Sequence, residues 1–304
     1  MAGDAVAVSV VIPAYNAAAT IGPQLEAFTR QRVSSSWELL VADNGSSDRT
    51  RAVVEEWATR LPLLRVVDAG ERRGASAARN LGAAAARGDL LLFCDADDVI
   101  EGDWVERMSS SLAHHDLVGG VLETRTLRRP GAASVSWEAN AEIRLHYWTR
   151  YEAASGSNLG IRRGVFEELG GFDEHLVTGE DVDLCWRAQL GGRSFGRVHD
   201  AVVKSRPRIG LQAVYRQAYS YGEGHRQLRR KYEAFIAAES AEEPPRLPPE
   251  PPASAPADRG RVARRLRRLF TASGLADLTW RLGETLGERF THADRQVVPL
   301  VRRG

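Results

Sequence analysis

The sequence has 304 residues, enough for one large α/β domain with an appendage. Apolar residues make up 43% of it, as is usual for a soluble globular chain, and the net charge is only +1. A nearly neutral molecule has no long-range attraction to nucleic acid, so we expect no nucleic-acid partner.

The sequence predicts neither a secretion signal nor a membrane-spanning helix. Its first residues lack a basic segment with an apolar core behind it, and no stretch approaches the roughly 18 apolar residues that a spanning helix needs. Both cysteines, Cys94 and Cys185, are flanked by apolar residues, which predicts buried thiols in a reducing compartment. We therefore expect a cytoplasmic protein, with a peripheral position at the inner face of the membrane as the alternative.

Apolar strands alternate with helices through the first third of the chain. The predicted strands are 6–12, 37–42, 63–67 and 89–94, and the predicted helices between them are 17–31, 48–60 and 75–86. This alternation predicts an α/β fold with right-handed crossovers and a mostly parallel central sheet. Farther along, 118–160 is less regular and predicts edge strands and loops, and further helices are predicted at 164–169, 180–190 and 208–235.

The composition changes near the carboxyl terminus. Seven of the 13 prolines lie between Pro244 and Pro256, which predicts a proline-rich linker over 239–258 after a catalytic domain over 1–238. The remainder, 259–304, predicts a basic helical tail with eleven arginines against four acids.

Within 261–270 the apolar residues share one helical face opposite the arginines. Such a helix either lies on an anionic membrane surface or packs on the catalytic domain or a second subunit. Binding to RNA is the poorer hypothesis, because no aromatic residues accompany the arginines for base stacking.

Polar residues stand just after three of the predicted strands. They are Tyr15, Asn16, Asp43, Asn44, Asp48, Asp95, Asp97 and Asp98. In an open parallel sheet, ligands bind outside the carboxyl ends of the strands, so these side chains are expected to line one crevice. Singly, each is also explained as a turn or cap residue, and for Asp48 the capping role is at least as good an explanation.

The acids of Asp95-Ala96-Asp97-Asp98 are the sharpest local signal. Three carboxylates within four residues repel one another unless a cation or hydrogen-bond donors compensate. Oxygen ligands of this kind suit Mg²⁺ or Mn²⁺ bound to substrate phosphates. The alternative is an acidic surface turn.

A second acidic group, Glu180-Asp181, begins a predicted helix, where the helix dipole favours negative charge. Asp181 is the candidate general base, whereas Asp183 is better explained as a helix-stabilising residue. Arg79 lies in a stretch of small residues and offers a forked donor to a phosphate or a base, although helix packing alone explains the small residues around it.

Taken in order, five segments of the chain resemble the family 2 glycosyltransferases. They are VSVVIPAYNAAATI, ELLVADNGSSDRT, GASAARNLGAAAARGDLLLFCDADD, SNLGIRRGVFEELGGFDE and GEDVDLCWR. The resemblance covers roughly residues 6–232 and implies a GT-A fold, a nucleoside-diphosphate sugar donor, a divalent cation and inversion at the anomeric carbon. It also implies transfer of a sugar to an acceptor hydroxyl in glycan or glycolipid biosynthesis, with a sugar, a lipid-linked glycan or a small molecule as acceptor.

The resemblance assigns roles to individual residues. It implies that Pro13, Tyr15 and Asp43 contact the nucleoside, that Arg79 lies near the base or phosphate, and that Asp95 lies by the ribose. It further implies that Asp97 coordinates the metal with Asp98 close by, that Asp181 is the catalytic base beside Glu180 in the donor site, and that Asn158 lies beside the donor sugar or the acceptor.

The chain departs from the family pattern in two places. Relatives often carry a metal-binding histidine where this chain has Lys204, whose ammonium would neutralise diphosphate directly, so we hypothesise a weak metal dependence. His199 is the alternative ligand. The QxxRW signature of processive synthases is also absent, which implies that one sugar is transferred at a time.

Two competing hypotheses remain open on the sequence. The Lys204 substitution motivates a non-catalytic module that binds nucleotide sugars, although the intact Asp97 and Asp181 argue for an enzyme. A nucleotidyltransferase would also use an α/β fold and a metal, but no glycine-rich, lysine-containing loop follows the first strand.

Overall fold

A computed structural model describes residues 6–61, 63–128, 130–135, 143–145, 148–242 and 271–290. They divide into two compact units. The first takes in the described residues up to Leu127, those between Trp137 and Glu174, and Glu180–Arg206, and the second takes in the rest. From residue 243 onward the predicted linker lies outside the described residues, and so does the basic segment 259–270.

The first unit alternates strands and helices as the sequence predicts. Its elements are β1 (Val8–Ala14), α1 (Ile21–Phe28), β2 (Trp37–Asp43), α2 (Thr50–Glu56), β3 (Leu64–Asp68), α3 (Ala75–Ala85), β4 (Leu90–Cys94), β5 (Val99–Ile100), α4 (Trp104–Ser111), β6 (Leu117–Glu123), β7 (Ile143–Leu145), β8 (Trp148–Ala153), β9 (Asn158–Arg162), α5 (Arg163–Glu168), α6 (Glu180–Leu190) and β10 (Phe195–Lys204). Every strand and helix predicted before residue 95 is present with shifted ends.

One mixed sheet forms the centre of this unit, in the strand order β3-β2-β1-β4-β9-β6-β10-β5. The pairs β1–β2, β2–β3, β1–β4 and β6–β10 are parallel. The pairs of β9 with β4 and β6, and of β10 with β5, are antiparallel. The expected parallel βαβ half is therefore confirmed, and an antiparallel strand joins it to the second half.

The prediction of edge strands and loops for 118–160 was wrong for β6 and β9, which lie inside the sheet. Glycines at 119, 120 and 160 interrupt the β-branched pattern that marks a buried strand. They are there for packing. A Cβ at Gly120 would lie 2.4 Å from the carbonyl oxygen of Ala201 and from the side-chain oxygen of Asn158.

Alternate residues of β1 face two layers of helices. Val8, Val10 and Ile12 belong to the same buried cluster as residues of α1 and α4. Val11 points to the other face, where a Cβ at Gly82 of α3 would lie 2.4 Å from its side chain. The small residues of α3 thus allow close helix–sheet packing, as their pattern indicates.

The second unit is helical. It contains α7 (Leu211–Lys231), α8 (Glu233–Glu242) and α9 (Ala272–Phe290), and α9 lies within the predicted helical tail. Val214 and Ala218 of α7 pack with Ala276 and Trp280 of α9. Within the described part of the chain, no helix combines the length and the apolarity needed to cross a membrane.

Candidate functional site

The acids after β4 form a compact group at the carboxyl end of the parallel strands. Carboxylate oxygens of Asp95, Asp97 and Asp98 lie within 4.8 Å of one another. Asp98 is 2% exposed, and its pKa is raised well above the usual value because burial and its two neighbours all disfavour its charge. A cation at this group would relieve that repulsion, so the donor set fits Mg²⁺ or Mn²⁺.

Side chains and backbone from distant segments hold this loop. The Gln24 amide donates to the carbonyl oxygen of Asp95 at 3.2 Å and accepts from the N–H of Ile100 at 2.9 Å. On the other side, the backbone N–H of Arg206 donates to the Asp98 carboxylate at 3.0 Å, and the Arg206 Nε donates to the Asp97 carbonyl oxygen at 3.1 Å. The three acids are therefore fixed in place by the surrounding protein.

Arg79 of α3 joins the acidic loop to the start of α6. Its guanidinium donates to Asp95 at 2.7 Å and to Glu180 at 2.8 Å, and its side chain is almost completely buried. Burial alone would lower the pKa of Arg79, but the carboxylates of Asp95, Glu180 and Asp181 raise it. One buried cation thus connects the two acidic motifs that the sequence predicts.

Asp181 sits at the first turn of α6, where backbone donors hold its carboxylate. It accepts from the N–H of Gly156 and of Val182, each at 2.8 Å. Burial nevertheless raises the pKa of Asp181, and burial together with the charge of Asp181 raises the pKa of Glu180 to about 6. Because both side chains remain partly accessible to solvent, an oriented carboxylate is available there as a base.

Asp183 has a structural environment, in agreement with its predicted role. Its side chain is fully buried and pairs with Arg187 at 2.7 Å. Arg187 also donates to the carbonyl oxygens of Leu169 and Gly171, each at 2.7 Å, so this pair fastens α6 to the loop after α5. Adjacent acids of one helix therefore have different surroundings.

The ends of β1 and β2 form the other side of the site. Tyr15 is 55% exposed, and the guanidinium of Arg73 lies 5.0 Å from its ring centroid. Asp43 ends β2 and accepts from the N–H of Ser46 at 3.1 Å. Pro13, inside β1, is partly exposed. An accessible ring beside a carboxylate suits stacking and hydrogen bonding to a nucleoside.

Two further residues of this edge organise the loops. The Asn44 amide donates to the carbonyl oxygens of Ala69 and Arg72, at 2.6 and 2.7 Å. Asp48 accepts from the N–H of Thr50, the first residue of α2, at 2.9 Å, and from the N–H of Ala18 at 3.1 Å. Its carboxylate therefore bonds to the backbone near the helix start, as a turn or cap residue does, although Arg49 occupies the N-cap position itself.

Asn158 has surroundings that differ from the predicted ones. It is fully buried, its oxygen accepts from the Trp104 indole at 2.8 Å, and its NH₂ donates to the carbonyl oxygens of Val121 and Ala201. Because its amide is taken up by protein partners, a direct contact with donor sugar or acceptor does not fit this arrangement. Its role is to fix the centre of the sheet.

On the β10 side of the acidic loop, the positively charged residue that contacts it is Arg206, two residues beyond the predicted Lys204. Lys204 ends β10 and forms an ion pair with Glu101. His199 is exposed and does not belong to the metal-binding group formed by described residues. Lys204 therefore lies near this loop through Glu101, whereas Ser205 and Arg206 touch its acids directly.

Gln24 and Arg206 are the site residues that sequence reasoning missed. Gln24 lies in the middle of a helix whose pattern predicts only packing, and Arg206 follows the last strand without a motif of its own. Their hydrogen bonds to the acidic loop appear only when the fold brings together residues about 70 and 110 positions apart.

The sequence was compared with known protein families. Residues 9–170 match the family described as Glycosyl transferase family 2, and residues 90–282 match Glycosyl transferase family group 2. Glycosyltransferase AglE from Haloferax volcanii is 33% identical over 225 residues, which cover 73% of each chain.

Two solved structures resemble the fold at low sequence identity. Mannosyltransferase PcManGT from Pyrobaculum calidifontis, in complex with GDP-Man and Mn²⁺, gives a TM-score of 0.55 at 20% identity and covers 93% of this chain and 76% of its own. TarS residues 1–349 from S. aureus, in complex with UDP, gives a TM-score of 0.52 at 17% identity, and the match covers 93% of this chain and 89% of the TarS chain. At these identities the likeness establishes the fold alone.

Proposed function

The chain belongs to glycosyl transferase family 2, and from that premise we propose that it moves a single sugar, with inversion, from a nucleoside-diphosphate sugar to an acceptor hydroxyl. The observation that carries the proposal is the Arg79 bridge. One buried guanidinium holds Asp95 of the acid group and Glu180 beside Asp181, which supports a site whose cation group and general base belong to one unit.

The donor would occupy the edge formed by β1, β2 and β4. We assign the nucleoside to Pro13, Tyr15 and Asp43, and the ribose to Asp95. The similar structures that contain GDP-Man and UDP support a nucleoside-diphosphate donor, and they leave the base of this chain's own donor open. Arg79 positions the carboxylates of Asp95 and Glu180, and so it shapes the part of the site between the bound nucleoside and the general base Asp181.

Asp97 and Asp98 would hold the cation, and Asp95 completes the group. When bound, a divalent cation stabilises the negative charge that develops on the leaving diphosphate. Arg206 lies against the same loop and offers its guanidinium edge there. Together with Lys204 it would share the neutralisation of the diphosphate, which keeps a weak metal dependence as a proposal.

Asp181 would remove the proton from the acceptor hydroxyl. Inversion needs the nucleophile to attack from the face opposite the leaving group, so the base must stand on a different element from the metal group. Asp181 on α6 meets this condition, and its two backbone donors fix the direction of its free lone pairs. We propose a glycan, lipid-linked glycan or small-molecule hydroxyl as acceptor.

The alternative function is a non-catalytic module that binds nucleotide sugars. The Asp181 carboxylate argues against it, because the N–H groups of Gly156 and Val182 orient this carboxylate outside the group formed by Asp95, Asp97 and Asp98, where binding a cation has no need of it.

Thermal shift with UDP, GDP, TDP and CDP, each with Mn²⁺, Mg²⁺ or EDTA, tests the proposal. A nucleotide at about 100 times its dissociation constant should stabilise the protein by roughly 2.7 kcal/mol. We expect one nucleotide to do so, and Asp97→Ala to lose the part of the shift that depends on the cation. The EDTA samples measure how much Arg206 and Lys204 contribute without metal.

The control variant is Glu106→Ala, which removes a partly exposed acid of α4 that accepts from Ser34 and does not belong to the group of Asp95, Asp97 and Asp98. It should keep the full nucleotide shift. No shift with any nucleotide, in a protein that melts cooperatively, would reject the donor site.

A further inference from the structure

The second unit exposes an apolar stripe along α9. Leu275, Leu278, Leu282 and Phe290 are 43%, 53%, 55% and 63% exposed. The three leucines follow the i, i+3, i+7 spacing that places side chains on one helical face. A run of large apolar side chains on a surface helix indicates a binding surface.

The stripe points away from α7 because glycines lock the opposite face of α9 onto that helix. A Cβ at Gly287 would lie 2.1 Å from the carbonyl oxygen of Tyr219, and one at Gly222 would lie 2.1 Å from that of Glu284. Trp280 fills the space beside them, with its ring 5.2 Å from that of Tyr221. Backbone contact this close fixes the rotation of α9, so the leucines stay outward.

The charges around the stripe are positive. Seven positions of α9 are exposed, and they comprise the four apolar residues, Arg281, Arg289 and a threonine. The acids in the described helix are Asp277, Glu284 and Glu288, which are only partly exposed, and the last two approach His225 of α7 at 3.5 and 3.8 Å. The exposed face is therefore apolar and basic.

The sequence that leads into α9 strengthens this charge. Residues 259–268 contain six arginines and no acid, so a strongly basic stretch adjoins the apolar stripe along the chain. Apolar side chains together with arginines match a surface of anionic lipid, where acyl chains receive the leucines and phosphates receive the arginines.

We propose that α9, through its exposed leucines and its exposed Arg281 and Arg289, forms a membrane-docking surface that binds anionic phospholipid bilayers at the level of the headgroups. Apolar burial and electrostatic attraction are both required, because either one alone gives only marginal, reversible binding. A second copy of the chain fits this face less well, since docking two copies would bring the exposed Arg281 and Arg289 of both helices together. Nucleic acid also fits this face less well, because it would attract the arginines but leave the apolar leucines exposed to water.

Flotation of the full-length protein with vesicles tests the proposal. One set is phosphatidylcholine alone, and the other is phosphatidylcholine and phosphatidylglycerol in equal parts. We expect the wild-type protein to float with the anionic vesicles and to be released by high salt. Leu278→Gln with Leu282→Gln should lower the partition coefficient roughly tenfold or more, because two inserted side chains are lost.

The matched control is Leu63→Gln with Val177→Gln, two apolar residues that are 50% and 44% exposed outside α9. It should float like the wild type. Arg281→Gln with Arg289→Gln should weaken binding to the anionic vesicles by about tenfold and leave any binding to phosphatidylcholine unchanged.

Three outcomes would overturn the proposal. Equal flotation of wild type and the leucine variant would remove α9 from the binding surface. A wild-type dimer that the leucine variant converts to monomer, without flotation, would assign the stripe to a second copy. Retention of a DNA fragment that the leucine change leaves unaltered, without flotation, would assign the arginines to nucleic acid. Flotation does not depend on sugar transfer, so it is independent of the nucleotide experiment.

Discussion

Both ends of the parallel strands carry buried carboxylates, but the surrounding charges differ. At the amino-terminal ends of β1 and β2, Glu38 accepts from the Ser9 hydroxyl and the Arg65 guanidinium, each at 2.8 Å, and from the N–H of Arg87 at 2.6 Å. Burial by itself would raise the pKa of Glu38, but these donors outweigh it and lower the pKa.

At the carboxyl-terminal ends the balance is reversed. Arg79 is shared between Asp95 and Glu180, Ser205 and the N–H of Arg206 donate to Asp98, and the N–H groups of Gly156 and Val182 donate to Asp181. The pKa values of Asp98, Glu180 and Asp181 are raised, with burial as the largest cause in each.

The sign of the pKa shift distinguishes the carboxylates at the two ends. It is negative for Glu38, to which we assign a structural role, and positive for Asp98, Glu180 and Asp181, to which we assign a functional role. The Glu38 network is satisfied by the protein itself, so its charge stabilises the fold. At the other end the charges of Asp98, Glu180 and Asp181 are disfavoured, which costs stability in the absence of a positively charged ligand. Charge removal should therefore have opposite consequences at the two ends.

Asp181→Asn should produce the largest effect. Loss of a general base typically lowers the rate by about 10²–10⁴-fold, and we expect kcat to fall within this range. Nucleotide binding should be nearly unchanged, because the asparagine oxygen still accepts from Gly156. Steady-state kinetics with the matching donor, and the nucleotide thermal shift, measure the two quantities.

The control is Asp183→Asn, two residues farther along the same helix. It breaks the buried pair with Arg187, so we expect lower stability and a rate per folded molecule close to that of the wild type. If Asp181→Asn transferred sugar at the wild-type rate, the assignment of the base would be wrong.

These two acids show how far the sequence predicts the site. The alternating apolar segments were sufficient to predict β1–β4 and the helices between them, because a buried parallel strand is a nearly continuous run of apolar residues that can be recognised locally. The clustering of Asp95, Asp97 and Asp98 and the separate status of Asp183 were also predicted from short segments.

What the sequence did not predict depends on contacts between distant segments. Helix α4 was not expected, and β9 was assigned to an edge because a strand antiparallel to both neighbours has no local signature. Asn158 was assigned to the donor although it binds Trp104, 54 residues away. The Arg79 bridge spans 101 residues, so only the folded chain places Glu180 beside it.

At the amino-terminal ends of β1 and β2, Glu38→Gln should lower the free energy of unfolding by about 2 kcal/mol near neutral pH, because the hydrogen bonds that the charged Glu38 makes with Ser9 and Arg65 weaken. The sign follows from the lowered pKa. Its stabilisation is present above the pKa of a glutamate in the unfolded chain and disappears as pH falls through the lower folded value.

Urea unfolding of wild type and Glu38→Gln at neutral pH and near pH 3 measures this difference, which should shrink in acid. The rate per folded molecule should remain unchanged, because Glu38 lies at the opposite end of the strands from Asp181. A stability difference that is the same at both pH values would mean that the charge of Glu38 is unimportant.

Glu180→Gln should give the smallest effect and the opposite sign. The glutamine oxygen keeps the hydrogen bond from Arg79, while the charge that burial and Asp181 disfavour is removed. The pKa of Glu180 is raised from 4.5 to about 6, so its ionised form destabilises the folded chain as pH rises through this interval. We expect a gain of about 1 kcal/mol at pH 8 that disappears below about pH 4, where this side chain is protonated in both the folded and the unfolded wild-type chain.

Urea unfolding of apo protein at both pH values, with Glu38→Gln in parallel, measures this difference. A loss of stability at pH 8 would mean that the pair with Arg79 outweighs burial, and the distinction between the two ends of the strands would then rest on activity alone.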